Sequence, residues 1–189
     1  MQIPLFPLNT VLFPGGPLKL RVFEQRYLEM VSNCLRQDSE FGVCLIREGE
    51  EVGQAATPQA IGTLARIVDW EKRDDGLLGI TILGTRRFRI LRREIKPSQL
   101  AVAEVETLAE PETVALPAQH QSLVGLLKRI LEQLGEPYSL VQARYEDAVW
   151  VGYRLAEILP FPLEAKQTLL ELDDPLQRLE QVERLIHRE

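Results

Sequence analysis

The stretch PLFPLNTVLFPGGPLKLRVFEQRY, residues 4–27, sets the start of the fold because short apolar runs alternate in it with prolines and glycines. Proline has no N–H to donate to a β-ladder, so residues 2–8 predict a first strand that is irregular or lies at a sheet edge. The Pro-Gly-Gly-Pro run at 14–17 predicts a turn. Leucine and valine then alternate with basic residues from 18 to 22, which predicts a second strand.

The apolar period changes at Glu24, where helical spacing begins and continues to about Gln37. A polar loop is expected at 48–60, and the Asp-Gly pair at 75–76 predicts a hairpin turn. Further strands are predicted at 41–47, 61–72, 76–85, 86–95 and 101–109. Six or seven strands with one early helix favour a small antiparallel sheet that is strongly bent or closed into a barrel, since closure removes exposed edges.

Residues 108–118 contain two prolines and show no clean period, so we place a boundary there, between a β domain at 1–110 and a helical domain at 118–189. Four helices are predicted in the second domain: a leucine stripe from 123 to 134, then 149–159, 163–172, and a helix starting at Asp174 and Pro175. Aspartate is a favourable cap, and proline suits the first helical position. The chain is therefore expected to be of the α+β class.

Composition places the chain among soluble globular proteins, with 45% hydrophobic and 26% charged residues. The net charge of −6 divides into +2 for residues 1–103 and −8 for residues 104–189. Two cysteines are too few for a disulfide framework and predict buried thiols in a reducing compartment. The N-terminus does not resemble a signal peptide, and no apolar run is long enough to span a membrane, so we expect a cytoplasmic protein without membrane contact.

Three segments resemble the N-terminal domain of the Lon proteases. LFPLNTVLFPG (5–15) followed by LRVFEQRYLEMV (20–31) is similar to the family's opening strand, turn, strand and helix. Ile-Gly-Thr at 61–63 followed by GLLGITILGTRRFRI (76–90) is similar to its middle hairpin. ILPFPLEAKQTLLELDDPLQRLEQV (158–182) resembles its C-terminal helical signature. The resemblance covers nearly the whole chain.

The resemblance implies a PUA-like antiparallel β-barrel with one early helix, followed by a C-terminal α-helical bundle. In Lon proteases this domain helps to recognise protein substrates and to assemble the oligomer. This sequence contains no phosphate-loop pattern of the GxxxxGK[ST] kind, and the family's Ser-Lys catalytic pair belongs to a region without a counterpart here. We therefore expect a standalone, non-enzymatic module that binds polypeptides or a protein partner, without a cofactor.

The candidate contact surface lies within the opening stretch. An irregular edge strand beside a helix start leaves backbone groups and rings available for strand addition by a partner. The candidate partner-binding residues are Phe13, Arg21, Glu24, Arg26 and Tyr27. No catalytic residue is assigned. A metal site is not expected, because neither His120 nor His187 has a nearby cysteine or histidine in the sequence.

Two alternatives remain. Residues 86–96 carry a local charge of +5, and PUA-like barrels can bind RNA, which makes Arg86, Arg87, Arg89 and Arg93 candidate nucleic-acid contacts. Strand alternation would instead place Phe88 and Ile90 in the core and leave Arg87 and Arg89 in solvent, paired with acids of the helical half. The second alternative is a stand-alone hydrolase using a cysteine–histidine pair, although Cys34 and Cys44 both lie on apolar faces, where buried thiols are inert.

Overall fold

The computed structural model describes residues 1–188, which form two compact units, residues 1–108 and residues 109–188. The first unit contains one helix and seven strands: β1 (Gln2–Leu8), β2 (Pro17–Val22), α1 (Gln25–Gln37), β3 (Phe41–Glu48), β4 (Thr57–Pro58), β5 (Ile61–Lys72), β6 (Leu78–Ile95) and β7 (Ala101–Thr107). The second unit contains four α-helices: α2 (Gln121–Gln133), α3 (Ala148–Ile158), α4 (Leu163–Glu171) and α5 (Pro175–Ile186). Short 3₁₀ turns occupy Ala118–His120 and Tyr138–Leu140.

Five strands of the first unit form a closed ring. The order runs β1, β7, β6, β5 and β3, and β3 pairs back onto β1 with Leu5 opposite Gly42. The β1–β3 pair is parallel, and the other pairs in the ring are antiparallel. A parallel pair needs a long crossover connection, and residues 9–40, which carry β2 and α1, provide it. The predicted α+β class and the barrel-like closure are confirmed.

The two prolines of β1 are accommodated because this strand changes partner halfway along its length. Its first residues pair with β7, as Pro4 does with Val102, and its later residues pair with β3, as Pro7 does with Cys44. At these residues pairing is needed on one side only, so the missing N–H of a proline does not interrupt two ladders. The prediction of an irregular strand is confirmed, but β1 lies within the ring rather than at an edge.

Strand β6 is one continuous element of 18 residues, so the prediction of two separate strands at 76–85 and 86–95 is wrong. Its first part lies between β2 and β5, and its last part pairs with β7. The ladder with β5 shifts register between Thr63 and Ala65, and the ladder with β7 shifts between Ile90 and Arg92. Such irregularities let a strand bend without a turn, which sequence alternation alone does not reveal.

The first unit has two apolar layers, one on each face of the sheet. One cluster contains Ile3, Leu5, Cys44, Leu64, Phe88, Ala101, Ala103 and Val105, contributed by all five strands of the ring. Gly42 belongs beside it, because a Cβ at Gly42 would lie 2.6 Å from Cζ of Phe88. The second cluster packs the other face against α1 and includes Phe6, Leu8, Tyr27, Met30, Val31, Phe41 and Ile82.

Helix α1 has the amphipathic pattern predicted for it, with Tyr27, Met30, Val31 and Cys34 buried. Glu24 is its N-cap residue, and Asp38 ends it in the left-handed region with φ of 48°. The N–H of Ser39 donates to the carbonyl of Cys34, which satisfies one carbonyl in the last turn. The helix is therefore fixed at both ends against the second apolar layer.

The second unit is organised around α3, which contacts α2, α4 and α5. Buried residues occupy almost all of its circumference from Ala148 to Ala156. Asp147 caps α3 by accepting a hydrogen bond from Val149 N–H. The predicted start of the last helix is confirmed, since Asp174 accepts from Leu176 N–H and Pro175 occupies the first turn.

Candidate functional site

A cleft of about 320 Å³ lies beside β2 in the first unit and is named here the edge cleft. Phe6, Leu8 and Tyr27 line it and are themselves buried, so they form its apolar floor. The remaining lining residues are Thr10, Lys19, Leu20, Arg21, Val22, Phe23, Glu24, Glu51 and Val52. The volume lies at the lower end of the range for small-molecule sites and is enough for one or two side chains of a partner.

The edge cleft follows the edge of β2 rather than one of its faces. Successive side chains of a strand point to opposite faces, yet consecutive residues of β2 from 19 to 22 all line the cleft. Within residues 1–188, β2 pairs with β6 and with no other strand. The cleft therefore lies along the side of β2 that carries no ladder.

Two large apolar side chains are exposed at the mouth of the cleft. Phe23 and Val52 are each 53% accessible to solvent. Phe23 follows the last residue of β2 and precedes the helix cap Glu24, and Val52 lies in the 49–56 loop. Exposed apolar groups above a buried aromatic floor are typical of a surface that binds another molecule.

The buried guanidinium of Arg26 holds the 49–56 loop next to the edge cleft. Its Nη1 donates to the carbonyl of Gln99 (2.9 Å), and its Nη2 contacts Glu24 Oε1 (3.2 Å) and the carbonyl of Glu51 (3.3 Å). The second carboxylate oxygen of Glu24 accepts from Gly53 N–H at 3.4 Å. One side chain thus connects the start of α1, the loop and the β6–β7 turn.

Tyr27 contributes an aromatic stack to the cleft floor. Its ring lies parallel to that of Phe6, with centroids 4.0 Å apart and an interplanar angle of 9°. Arg26 lies over the Tyr27 ring with its guanidinium carbon 4.6 Å from the centroid. Burial raises the pKa of Tyr27, although the nearby Arg26 opposes this effect. The hydroxyl therefore stays protonated at neutral pH, and the ring acts as an apolar and hydrogen-bonding surface.

The structure separates the five predicted contact residues into two groups. Arg21 and Glu24 line the edge cleft from its rim, and Tyr27 lines it from its floor. Phe13 is fully buried and does not offer its ring to a partner, so the expectation of an exposed Phe13 is wrong. Arg26 is also buried and acts through the loop that it holds.

Sequence reasoning missed Phe23 and Val52 as surface residues. Phe23 lies between the end of β2 at Val22 and the helix cap Glu24, so neither the strand period nor the helix period applies to it. Val52 is a lone apolar residue in a polar loop, and that isolation was the available signal. Phe23 and Val52 are of interest because they line the same cleft as the buried rings of Phe6 and Tyr27.

Two arginines in the basic part of β6 contact acids of the neighbouring strand. Arg89 contacts Glu106 at 3.0 Å, and Arg92 contacts Glu104 at 3.5 Å, so the partners lie on β7 and not on the helices as expected. Arg93 donates to the carbonyl of Ala56.

The predicted orientation of the arginines on β6 is only partly correct. Arg86 and Arg89 are exposed, and Phe88 is buried as predicted. Arg87 is fully buried, so its expected solvent exposure is wrong. The ladder with β5 is regular from Arg87 to Arg89, so Arg87 lies on the same face as exposed Arg89, opposite Phe88, and its burial is not a matter of strand alternation.

Both cysteines are free and buried, as predicted. Burial raises the pKa of Cys34, and it raises the pKa of Cys44 to about 12. Such thiols hold almost no thiolate at neutral pH and are poor nucleophiles. Within residues 1–188, no group of three or more His, Cys, Asp or Glu side chains is arranged to hold a metal ion.

A second cluster of buried charge lies in the second unit. Arg154 donates through Nε to Glu157 Oε1 at 2.8 Å, and Tyr138 donates to Glu157 Oε2 at 2.8 Å. Burial raises the pKa of Glu157, and Arg154 opposes this effect. Arg178 donates to the carbonyls of Leu169 and Leu172. Glu157 joins α3 to the Tyr138–Leu140 turn, and Arg178 joins α5 to the end of α4, so we interpret the cluster as structural.

The fold and the edge cleft together define a closed β-barrel module with an apolar-floored cleft, followed by a helical unit. The family model of the ATP-dependent protease La (LON) substrate-binding domain matches residues 2–188. The chain belongs to this family. Among residues 1–188, no helix has the length and apolar character needed to cross a membrane.

Individual relatives agree with this assignment. Lon protease 2 of Myxococcus xanthus is 30% identical over 194 residues, which cover 98% of this chain and 23% of the relative. The Lon N-terminal domain protein from Xanthomonas campestris has a crystal structure that matches with a TM-score of 0.82 and 40% identity over 97% of this chain and 98% of that one.

The N-terminal domain of Mycobacterium avium complex Lon protease shares the fold at a TM-score of 0.68 and 15% identity, over 99% of this chain and 98% of that one. The chain spans about a quarter of the length of the curated Lon proteases that it matches.

Proposed function

We propose that this protein is a non-enzymatic module that binds polypeptides, and that the edge cleft is the binding surface. The observation that carries the proposal is the combination of a buried aromatic floor, Phe6 stacked on Tyr27, with exposed Phe23 at the mouth. Aromatic anchors that lose water in a shaped pocket dominate the energy of many protein interfaces. The family description as a substrate-binding domain of an ATP-dependent protease supports the same proposal.

The arrangement suits polypeptides better than nucleic acid. The lining of the edge cleft combines basic Lys19 and Arg21 with acidic Glu24 and Glu51, whereas a nucleic-acid surface needs a continuous basic footprint. On β6, Arg89 and Arg92 already contact acids of β7. RNA binding through β6 therefore has weaker support.

The test is equilibrium binding of a permanently unfolded polypeptide, fluorescein-labelled casein, measured by anisotropy. Phe23→Ser should weaken binding at least about fivefold, because a well-packed aromatic anchor commonly contributes more than 1 kcal/mol. Trp70→Ser is the matched control, since Trp70 is 59% accessible, lies in the same unit and does not line the cleft. Mass spectrometry of the recovered casein should show it intact.

Equal affinity of wild type and Phe23→Ser would refute the assignment of the edge cleft. A wild-type protein that fails to bind the unfolded polypeptide would refute the function itself. Cleavage of casein by highly purified protein would contradict the non-enzymatic part of the proposal.

A further inference from the structure

Hydrogen-bond alternation along β2 shows which main-chain groups face the edge cleft. The N–H of Gly84 donates to the carbonyl of Gly16 at 2.8 Å, and the register continues with Leu20 opposite Ile80 and Arg21 opposite Gly79. Bonded and non-bonded pairs alternate in an antiparallel ladder. The N–H and C=O of Leu20 therefore bond with β6, while the N–H and C=O of Arg21 point away from β6, toward the edge of β2 that pairs with no strand among residues 1–188.

The ladder between β6 and β5 leads independently to the same assignment of bonded and non-bonded residues. The N–H of Arg73 donates to the carbonyl of Leu77 at 2.8 Å, and two residues further along each strand Glu71 lies opposite Gly79. Gly79 is then a bonded partner of Glu71, so its main-chain groups point to β5 and not to Arg21. The edge of β2 along the cleft thus presents a donor and an acceptor at Arg21 in the orientation that a further strand requires.

A strand added at this edge would have two different faces. Residues opposite each other across a ladder share a face, so a partner residue opposite Leu20 would lie on the apolar side, with Leu20 and the cleft floor. Its two neighbours would lie on the other side, beside Lys19 and Arg21. The strand period therefore requires apolar and polar residues to alternate in the partner.

The charges on β2 favour acidic over basic residues on the polar side. An added strand would lie about 4.8 Å from β2 and about 14 Å from β5, at one and three strand spacings respectively. Lys19 and Arg21 are thus its near neighbours, whereas Asp69 and Glu71 on β5 lie beyond a Debye length in physiological salt. The contact of Arg21 with Asp75 is 3.8 Å long and exposed, so a partner carboxylate can compete with it.

The two acids that line the cleft are engaged with the protein itself. Glu24 contacts Arg26 and accepts from Gly53 N–H, and Glu51 accepts from Asn9 N–H at 2.7 Å. Both carboxylates belong to the α1 cap and the 49–56 loop, and Arg26 balances the charge of Glu24. On the polar side of an added strand, the nearest charged side chains of the sheet are therefore Lys19 and Arg21.

We infer that the edge cleft binds an extended polypeptide segment in which acidic and apolar residues alternate, and that this segment joins the sheet as a strand on β2. The inference rests on the proposed function and specifies its substrate class. Main-chain bonds to Arg21 supply the attachment, an apolar side chain enters toward Tyr27, and flanking carboxylates pair with Lys19 and Arg21.

The experiment measures anisotropy of the fluorescein-labelled peptide Gly-Ser-Glu-Leu-Glu-Val-Ser-Gly. Three matched peptides accompany it: one with both glutamates replaced by lysine, one with the two glutamates adjacent, and a set with single N-methylated amides. The alternating acidic peptide should bind about tenfold more tightly than its lysine twin, given the usual strength of cross-strand charge pairs. N-methylation should weaken binding severalfold only at alternate amides, those that face β2.

Two protein variants separate the contribution of the Arg21 side-chain charge from that of the Arg21 main-chain hydrogen bonds. Arg21→Ala should reduce the preference for glutamate over lysine while retaining the alternating sensitivity to N-methylation. Arg21→Pro should also weaken binding of every peptide severalfold, because it removes the outward N–H while leaving the bonds of β2 to β6 in place. If Arg21→Pro does not fold, the N-methyl series on wild type decides the same point.

Uniform sensitivity to N-methylation, or equal binding of the acidic and lysine peptides, would overturn the inference. If these results occur while unfolded casein still binds in a Phe23-dependent way, the proposed function survives and only strand addition or acidic preference fails. If neither casein nor any peptide binds, both fail together.

Discussion

The buried side chain of Arg26 stabilises the wall of the edge cleft, and replacing it by methionine tests how much. Methionine keeps a long, flexible apolar stem and removes the guanidinium. The substitution deletes the hydrogen bonds to Gln99, Glu51 and Glu24. It also leaves the Glu24 carboxylate without its cation, and the bond from Gly53 N–H to Glu24 then remains as the link between the 49–56 loop and the start of α1.

The magnitude follows from the three contacts. The 2.9 Å bond to the Gln99 carbonyl should contribute about 2 kcal/mol, as hydrogen bonds from charged groups do. The two longer contacts of Nη2 add about 1 kcal/mol each. Against this, Nε of Arg26 is buried without a partner among the described residues, and removing it regains about 1 kcal/mol. The expected net loss is about 3 kcal/mol.

The assay is hydrogen exchange with mass spectrometry across a urea series, which reports the unfolding of residues 1–108 separately from the helical unit. Peptides covering Gly53 and Ala55 should also lose protection without urea, because their amides donate to Glu24 and Gln99. Arg36→Met is the control, since Arg36 is an exposed arginine on the same helix. A loss below about 0.5 kcal/mol for Arg26→Met, or an equal loss for Arg36→Met, would refute the reasoning.

Two further predictions concern residues of the barrel interior, Gly42 and Cys44, with a helical glycine as the control for the first. Gly42→Ala should cost about 1–3 kcal/mol, because the new Cβ would lie 2.6 Å from Phe88 Cζ and 2.8 Å from Ile3 Cδ1. Gly125→Ala is the control: this glycine lies in helix α2, and a Cβ added there would be 3.6 Å from the nearest atom. It should raise the free energy of unfolding by about 0.5–1 kcal/mol in the same urea assay. If Gly42→Ala and Gly125→Ala both stabilise, or both destabilise, the packing argument is contradicted. Because burial raises the pKa of Cys44 to about 12, the folded state keeps a proton that the unfolded chain loses near pH 9, and stability should fall as pH rises from about 9 to 12. Cys44→Ala should show a shallower fall, and identical pH profiles for the two proteins would exclude the thiol as the cause.

The closure of the barrel explains why the edge cleft lies beside β2. Ring closure pairs β1 with both β3 and β7, yet β2 lies outside the ring and pairs with β6 alone among the described strands. A closed barrel has no free edge of its own. The crossover between β1 and β3 therefore supplies the one strand edge that lines the cleft, next to the helix that covers the same apolar layer.

Local signals in the sequence predicted many of the elements. The change of period at Glu24 located α1, and the Asp-Gly pair at 75–76 located the β5–β6 hairpin, where Gly76 adopts φ of 80°. Asp174 before Pro175 located the start of α5. These signals succeed because caps, turns and amphipathic periods act between residues a few positions apart.

The edge cleft could be predicted only in part. Arg21, Glu24 and Tyr27 were selected from the sequence and do line it, whereas Phe13 is buried by its neighbours in the fold. Phe23 and Val52 are 29 residues apart, and nothing in either neighbourhood indicates that they meet one cleft. Exposure at such positions depends on partners distant in the chain, which periodicity does not encode.

The sequence by itself determined the α+β class, the order of the helices, and the family of this protein, because each rests on local patterns and on motifs in order along the chain. Tertiary structure alone decided that β1 and β3 close the ring in parallel, that Arg87 is buried, and that β6 runs without a break. It also decided which edge of the sheet is left without a ladder. The physical reason is that pairing, burial and bulges are fixed by contacts between residues far apart in sequence, where the packing of the whole barrel overrides the local period.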